Sequence, residues 1–390
     1  EIKDRLRRNS RRQDIDHARK RVDQPKRTRM MSRRRGIMAS VAVAVIAILT
    51  ARPRILRQIL RLNAGELDTS IGLVPDLSID ELSPRVRNKM ALIVGGTRGV
   101  GLGTALALFR AGADVTIVGR SEKSGSAAVD WIQRQSDVAK YPHRRASLTY
   151  MKGDIGTVSS SQALVETIVS QGGRYDYVIV TAATFPDWER PLRNAEGIDK
   201  CFAIAVVGRY IVYKNAHSFT MPGARFLNVL ASGERLPVDK FDRSIVRDRP
   251  SSSLMESMMT FACGNEMMME GLFRRSSYFV DSNVVFVSTH PGLLKTDLHC
   301  GQGFWFDILE TVAVAVLGRT EEDSGHHQAS VLVSDKLRPG LNFVDSLGYG
   351  RLRDPNMSDL IESNLDWLWN LLQSLEAMYV QHELPRKEPH

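Results

Sequence analysis

The sequence predicts an α/β fold from about residue 88 onward, and three observations support this prediction. The chain has 390 residues, 43% hydrophobic and 25% charged, enough for the core of one large domain with appendages or of two small domains. Short apolar runs with the length of strands alternate with stretches of helical spacing. A glycine-rich turn joins the first of these strands to the first helix. The same composition excludes a chain that is disordered or of low complexity throughout.

The positive charge of the chain is concentrated at its N-terminus. The net charge is +9, but residues 1–35 contain 15 Lys and Arg against 5 Asp and Glu, so the remainder is close to neutral. So basic a segment, with few large apolar residues, cannot bury enough surface to fold alone. We therefore interpret residues 1–35 as a basic arm that binds a partner protein, lipid headgroups or RNA. The folded part is not predicted to be a nucleic-acid-binding globule.

An uncharged run follows the arm. Residues 36–51 lie between two arginine clusters and would span about 24 Å as a helix, somewhat short of the roughly 20 residues that cross a bilayer core. Flanking arginines can extend such a span by reaching to the headgroups, so we predict a candidate transmembrane helix, with a helix buried against a partner as the alternative. Residues 52–87 are predicted to form an amphipathic interfacial helix after Pro53 and then a linker. Residues 381–390 are predicted to be a tail.

A βαβ unit begins at Met90. Residues 90–94 predict a strand, residues 102–112 a helix and residues 115–118 a second strand, with glycines at the first turn. Glycines at this turn let the backbone approach a pyrophosphate, and the start of the helix supplies free N–H donors and a favourable dipole. A tight turn that binds no ligand is the alternative interpretation.

The spacing Gly95-x-x-x-Gly99-x-Gly101 resembles that of the short-chain dehydrogenases/reductases, and the resemblance extends over about residues 88–380. It continues in order through Asp154-Ile155, Thr181-Ala182-Ala183, the strand from Arg225 to Ser232, Pro291-Gly292 to Thr296, the stretch from Arg319 to Gly325, and Leu365 to Trp369, which is similar to the retinol-dehydrogenase-like members. The resemblance implies a doubly wound (Rossmann) sheet of about seven parallel strands with helices on both faces.

The resemblance also implies a dinucleotide site. The cofactor-binding residues expected from it are Gly95, Thr97, Arg98, Gly99, Val100, Gly101, Arg120, Asp154, Ile155, Ala182, Pro291, Gly292 and Thr296. An NAD enzyme of this family has a carboxylate at the end of the second strand, whereas here that strand ends Val118-Gly119-Arg120-Ser121. Arg98 and Arg120 suit a 2′-phosphate, so the sequence favours NADP(H). Two solvated arginines are the alternative.

The catalytic centre that the resemblance implies is degenerate. Family chemistry uses a Tyr as acid/base, a Lys that lowers its pKa, a Ser that orients the carbonyl and often an Asn that anchors a water. Anchoring on residues 270–272 places Ala262 at the Tyr position and Glu266 at the Lys position, and a shift by one residue gives Phe261 and Asn265. We predict that Glu266 is ionised at pH 7 and weakens cofactor binding.

The other members of the expected catalytic set are also missing or uncertain. Ala205 stands at the Asn position, and Ser232 is the one remaining candidate for the Ser, although strict register gives Ala231. The pair Tyr210 and Lys214 has the right spacing but precedes the Ser strand, so we interpret it as a chance match. We therefore assign no catalytic residue.

Two further site classes are not predicted. His326 and His327 are adjacent and would point to different faces of a helix, so we expect no metal site there. The three cysteines, Cys201, Cys263 and Cys300, are too few for a disulfide framework and indicate a reducing compartment.

The sequence thus favours a membrane-associated short-chain dehydrogenase/reductase-like protein that is catalytically inactive. It would act as a structural or NADP(H)-binding subunit of a membrane complex, in contact with other subunits and with lipid, and with no assigned small-molecule substrate. The Arg-rich, acid-poor N-terminal arm suggests the mitochondrial inner membrane. The alternatives are an active NADPH-dependent oxidoreductase of a lipophilic carbonyl or alcohol, and a ribonucleoprotein component that binds RNA through residues 1–35.

Overall fold

The computed structural model describes residues 65–136, 146–185, 192–230, 236–281, 283–292 and 319–383. The basic arm, the apolar run at residues 36–51 and the interfacial helix predicted after Pro53 lie outside the described residues. Ser232 and Thr296 lie outside them too. Within the described ranges, no helix has the length and apolar character needed to cross a membrane.

A central sheet of eight strands organises the described domain. The spatial order is β3-β2-β1-β4-β5-β6-β7-β8. The strands are β1 Met90–Val94, β2 Asp114–Gly119, β3 Leu148–Lys152, β4 Tyr175–Val180, β5 Thr220–Val229, β6 Val285–Thr289, β7 Gly340–Val344 and β8 Gly350–Arg351. The first seven strands pair in parallel, and β8 is antiparallel to β7. The predicted doubly wound parallel sheet is confirmed, with a short antiparallel strand added at one edge.

Helices cover both faces of the sheet. They are α1 Ile79–Val86, α2 Gly99–Ala111, α3 Glu122–Gln135, α4 Val158–Ser170, α5 Lys200–Phe202, α6 Arg209–Lys214, α7 Ser244–Arg247, α8 Leu254–Arg275, α9 Ser277–Asp281, α10 Glu321–Leu332 and α11 Pro355–Glu383; a π-helical segment, Ala203–Gly208, joins α5 to α6. Alternate residues of each strand face opposite layers. In β1, Ala91 and Ile93 pack with α1, α2, α3 and α10, whereas Leu92 and Val94 pack with α4, α6, α8 and α11.

Two glycines bring α2 and α10 into backbone contact. A Cβ atom added at Gly103 would lie 1.8 Å from the carbonyl oxygen of Glu321, and one added at Gly325 would lie 2.0 Å from the carbonyl carbon of Gly103. No larger residue fits at either position without separating the helices. The contact fixes the start of α10 beside the start of α2.

The segment before β1 differs from the predicted linker. Ser78 and Glu81 form a capping box that starts α1, and Leu82 and Val86 of this helix are buried. Pro84 lies inside α1. Further upstream, residues 67 and 73 form bridges to residues 351 and 349 at the edge of the sheet. The folded domain therefore includes residues from 65 onward rather than starting near residue 88.

Candidate functional site

The glycine-rich loop between β1 and α2 packs tightly against the end of β4. Gly95 has φ +95°, and a Cβ added to it would lie 2.6 Å from the backbone nitrogen of Ala182. A Cβ on Gly101 would lie 2.3 Å from the carbonyl oxygen of Gly95. The Thr181 hydroxyl donates to that same carbonyl oxygen over 3.2 Å. The structure thus brings together the residues predicted from the glycine spacing, and only glycine allows this approach.

Arg98 and Arg120 lie at the mouth of the same loop. Thr97 packs on the end of β2, where a Cβ added to Gly119 would lie 2.5 Å from its methyl group. Because Thr97 and Gly119 are in contact, Arg98 and Arg120, which follow them in the chain, occupy neighbouring positions at this edge of the sheet. Both arginines are exposed, and neither forms an ion pair with another residue of the described ranges. They are therefore available to an anionic ligand.

The remaining predicted cofactor residues follow strands at the same carboxyl edge. Asp154 is half-buried after β3 and accepts from the Gly156 N–H over 3.1 Å, and Ile155 beside it is buried. After β6, the Pro291 carbonyl accepts from the Ser324 hydroxyl over 3.2 Å, and Gly292 has φ +78°. Val100 is buried in the first turn of α2.

These features fit a dinucleotide. The glycine loop packs its backbone closely at the strand ends, the start of α2 carries backbone N–H groups that have no partner inside the helix, and the two exposed arginines offer charge at the expected ribose end. A nicotinamide cofactor bound there would supply hydride chemistry. The chain's own contribution would be to hold and orient that group at the strand ends.

The face of α8 turned toward β5 carries Asn265 rather than Glu266. The Asn265 side-chain nitrogen donates to the Ala205 carbonyl over 2.6 Å, and its oxygen accepts from the Asn228 amide over 2.8 Å. One turn earlier on α8, Phe261 packs edge-on against Phe185, with 6.3 Å between ring centroids. The structure therefore favours the register in which Phe261 and Asn265 stand where the family has Tyr and Lys.

Glu266 points to a different part of the domain. Its carboxylate lies 3.7 Å from the Arg353 Nε, and both residues line a cavity of about 10 Å³ with Phe343 and Met357. Burial raises the pKa of Glu266 to about 7, and this effect outweighs the opposing charge of Arg353. The expected ionised Glu266 beside the cofactor is thus not what the structure shows: the carboxyl is buried, and it faces the β7 and α11 side.

Arg209 is a functional candidate that the sequence analysis missed. Its side chain is fully buried, and its Nη2 donates to the carbonyls of Ala182 and Val229, both over 2.9 Å. Its Nη1 donates to the Asn228 side-chain oxygen. No carboxylate pairs with it within the described part of the chain, and burial lowers its pKa to about 10. A charged residue inside the apolar run from Ala205 to Tyr210 was the signal that could have identified it.

The chance Tyr-x-x-x-Lys pair belongs to the core. Tyr210 is fully buried, and its ring packs edge-on against Trp369 with 5.5 Å between centroids. Lys214 forms an ion pair with Glu376 of α11. Both side chains therefore tie α6 to the last helix.

The two adjacent histidines bind neighbouring groups of the protein. His326 contacts the Leu77 carbonyl through its Nε2, and His327 contacts the Asp76 carboxylate through its Nδ1, each over 2.5 Å. Among the residues that the structure describes, no three metal-ligating side chains cluster.

Part of the chain matches a known family model, and curated relatives match it at low identity. The family model described as short chain dehydrogenase matches residues 89–229. The chain is 27% identical over 176 residues to a hydroxynaphthalene reductase of Aspergillus fumigatus, covering 41% of this chain and 60% of that protein. It is 24% identical over 307 residues to a WW domain-containing oxidoreductase of Drosophila melanogaster, covering 76% and 71%.

A solved structure shares the fold. The MalC reductase/Diels-Alderase of Malbranchea aurantiaca superposes with a TM-score of 0.51 at 18% identity, covering 68% of this chain and 97% of that one. The curated relatives are matched over only part of their length, 60% in the Aspergillus reductase. The family-model match and the sequence relatives support the short-chain dehydrogenase/reductase superfamily, whose members bind NAD(H) or NADP(H).

Proposed function

We propose that this protein binds NADP(H) and does not reduce carbonyl compounds. The observation that carries the proposal is the Asn265 side chain, whose amide is bonded at both ends, to the Ala205 carbonyl and to Asn228. The cofactor half of the family site is intact in this chain, whereas the proton-transfer half is replaced by Phe261 and Asn265.

The chemistry of the reaction supports an inactive centre. Hydride transfer to a carbonyl leaves an alkoxide, which must be stabilised or protonated at its oxygen. Phe261 has no proton to give, and a carboxamide such as Asn265 does not act as an acid at neutral pH. A positioned general acid contributes about 10²–10⁴ in rate, so its loss leaves little turnover.

We expect no NADPH oxidation above the uncatalysed rate when the full chain is mixed with a panel of carbonyl compounds, including aromatic ketones. The reaction is followed by the loss of NADPH absorbance in its long-wavelength band. The double variant Phe261→Tyr with Asn265→Lys is expected to raise turnover by about a hundredfold over that background, because it restores the phenol and the ammonium. NADPH-dependent turnover by the natural chain would contradict the proposal.

The matched control is a double variant in the alternative alignment of α8, in which the family's Tyr and Lys positions fall on residues 262 and 266. Ala262→Tyr with Glu266→Lys installs the same two groups one residue further along α8, where Glu266 faces Arg353 instead of β5. This variant is expected to stay inactive. Circular dichroism of both double variants establishes that they are folded before the assay.

The preference for NADP(H) rests on Arg98 and Arg120. We expect NADPH to bind at least about tenfold more tightly than NADH, because charge-assisted bonds to a 2′-phosphate are among the strong ones. Arg120→Ala is expected to weaken NADPH binding by about tenfold and to leave NADH unchanged, as measured by fluorescence titration. Arg134→Ala, at an exposed site near the end of α3, is the control. Equal affinities for the two cofactors in the natural chain would refute the preference.

An active reductase is the second candidate function. Several of the relatives are named hydroxynaphthalene or tetrahydroxynaphthalene reductases, and the Phe185–Phe261 pair offers an apolar aromatic wall near the strand ends. Such an enzyme would need a proton donor other than the family Tyr. NADPH-dependent turnover of an aromatic ketone by the natural chain would favour this candidate over the inactive one.

For the N-terminal arm we propose attachment to a membrane complex, with the mitochondrial inner membrane as the site. The proposal is supported by the charge of residues 1–35 and the uncharged run at residues 36–51. RNA binding through the same arginines is the alternative. Flotation of the full chain with anionic vesicles, with and without added RNA, separates these possibilities.

A further inference from the structure

We propose that Glu321 weakens dinucleotide binding by occupying a backbone N–H at the pyrophosphate end of α2. The inference rests on the proposed cofactor site and assigns a regulator of its affinity within the chain itself. Glu321 is the first residue of α10 and lies 222 residues from its partner in sequence. It would act on the cofactor by engaging a backbone donor of the loop and by placing a negative charge beside the pyrophosphate.

The contact is a direct hydrogen bond. The Gly99 N–H donates to the Glu321 Oε1 over 2.9 Å. Gly99 is the first residue of α2, so its N–H has no partner inside the helix. The preceding residue, Arg98, makes no side-chain cap. The carboxylate therefore satisfies a donor that the glycine loop otherwise offers to an anion.

The surrounding packing keeps Glu321 in this place. The backbone contact of Gly103 with Glu321 and Gly325 fixes the start of α10 beside α2. Thr320 caps α10 by accepting from the Asp323 N–H over 3.0 Å. The Glu321 charge thus lies near two helix N-termini, where a negative group is stabilised by both dipoles.

A pyrophosphate brought to this loop meets the same donor and an existing negative charge. It must displace the carboxylate or bind beside it, and either course costs affinity because like charges a few ångströms apart repel even at the high effective dielectric of a protein surface. The repulsion weakens binding of the pyrophosphate. Binding of the 2′-phosphate, for which we proposed Arg98 and Arg120, is not affected. Removal of the Glu321 charge should therefore tighten NADPH and NADH by the same factor.

The test is the affinity of Glu321→Gln for three probes, measured by titration calorimetry on the full chain. We expect the dissociation constants for NADPH and NADH to fall by about tenfold each. Adenosine 2′-monophosphate, which has no pyrophosphate, is expected to bind this variant as it binds the natural chain. Glutamine keeps an oxygen that can accept from Gly99, so the helix cap is preserved.

Glu322→Gln is the matched control. It removes the same charge one residue later, from a side chain that pairs with Arg110 on the outside of the α2–α10 contact. This variant is expected to leave all three dissociation constants within about twofold, because its charge is paired with Arg110 and partly exposed to screening solvent. Glu321→Ala, which removes the acceptor as well as the charge, should still tighten both dinucleotides.

The outcomes separate the inference from the function on which it rests. If the natural chain binds NADPH and Glu321→Gln binds it no more tightly, or if Glu322→Gln tightens it equally, the role of Glu321 is refuted and the cofactor site stands. If neither variant nor the natural chain binds any dinucleotide, the proposed function and the inference fall together.

Discussion

Replacing Gly325 by alanine is expected to destabilise the domain by about 3 kcal/mol or more. The added Cβ would lie 2.0 Å from the carbonyl carbon of Gly103 and 2.2 Å from the backbone nitrogen of Thr104. Both atoms belong to the backbone of α2, so no change of rotamer relieves the clash. The two helices must separate, which opens the apolar layer beneath them. Urea denaturation followed by circular dichroism measures the loss.

Gly173→Ala is the control for this substitution. At Gly173 the atoms nearest to an added Cβ would belong to the Tyr175 side chain, at 3.2–3.3 Å, and a side chain can move by a few tenths of an ångström. We expect a change in unfolding free energy below about 1 kcal/mol there. If the two alanine variants were equally stable, the glycine contact between α2 and α10 would have no structural importance.

Glu266→Gln is expected to stabilise the protein at alkaline pH and to flatten its stability against pH. Burial raises the pKa of the Glu266 carboxyl from 4.5 to about 7. The folded state therefore holds this proton more tightly than the unfolded state. The resulting stability is complete below pH 4.5 and is lost as the pH rises through 7. The loss amounts to about 3 kcal/mol, and a neutral glutamine avoids it.

Glu270→Gln is a control for which we expect the opposite dependence of stability on pH. Glu270, one turn further along α8, is also partly buried, but its 2.8 Å contact with Arg353 and its bond to Arg274 lower its pKa. Its contribution is present at neutral pH and is lost on acidification, so Glu270→Gln should destabilise at pH 8. Urea titrations at pH 5 and pH 8 distinguish the two variants. Destabilisation of Glu266→Gln at pH 8 would contradict the buried, neutralising environment described for it.

The central sheet and the glycine loop could be predicted from sequence because their signals are local. A buried strand, a glycine turn and a helix follow each other within residues 90–111, and the close approach of Gly95 to Ala182 needs glycine whatever lies elsewhere. The positions of Arg98 and Arg120 could be predicted in the same way. Both follow the ends of neighbouring parallel strands, which meet at one edge of the sheet.

The positions on α8 that correspond to the family's Tyr and Lys could not be predicted from sequence. The glycine used to align this helix with the family pattern has a different structural role. Gly271 set the expected register, but a Cβ there would lie 2.8 Å from the Trp369 ring, so this glycine makes room for the last helix. The contacts of Glu321 and Arg209 could not be predicted either, because they join residues that are distant in sequence. Glu321 reaches the loop only through the α2–α10 contact, and Arg209 is held by carbonyls from two separate strands.

The segment that borders β8 has a consequence for how the domain behaves in solution. Residues 67 and 73 bridge to residues 351 and 349, and the Arg351 guanidinium donates to the Gly65 carbonyl over 2.8 Å. Uncovered, such an edge offers unpaired N–H and C=O groups on which a second sheet can assemble. Protection against edge-to-edge aggregation is thus encoded upstream of residues 89–229, the stretch that defines the family. A fragment that begins at residue 89 but keeps the rest of the domain would leave the β8 edge uncovered and open to self-association.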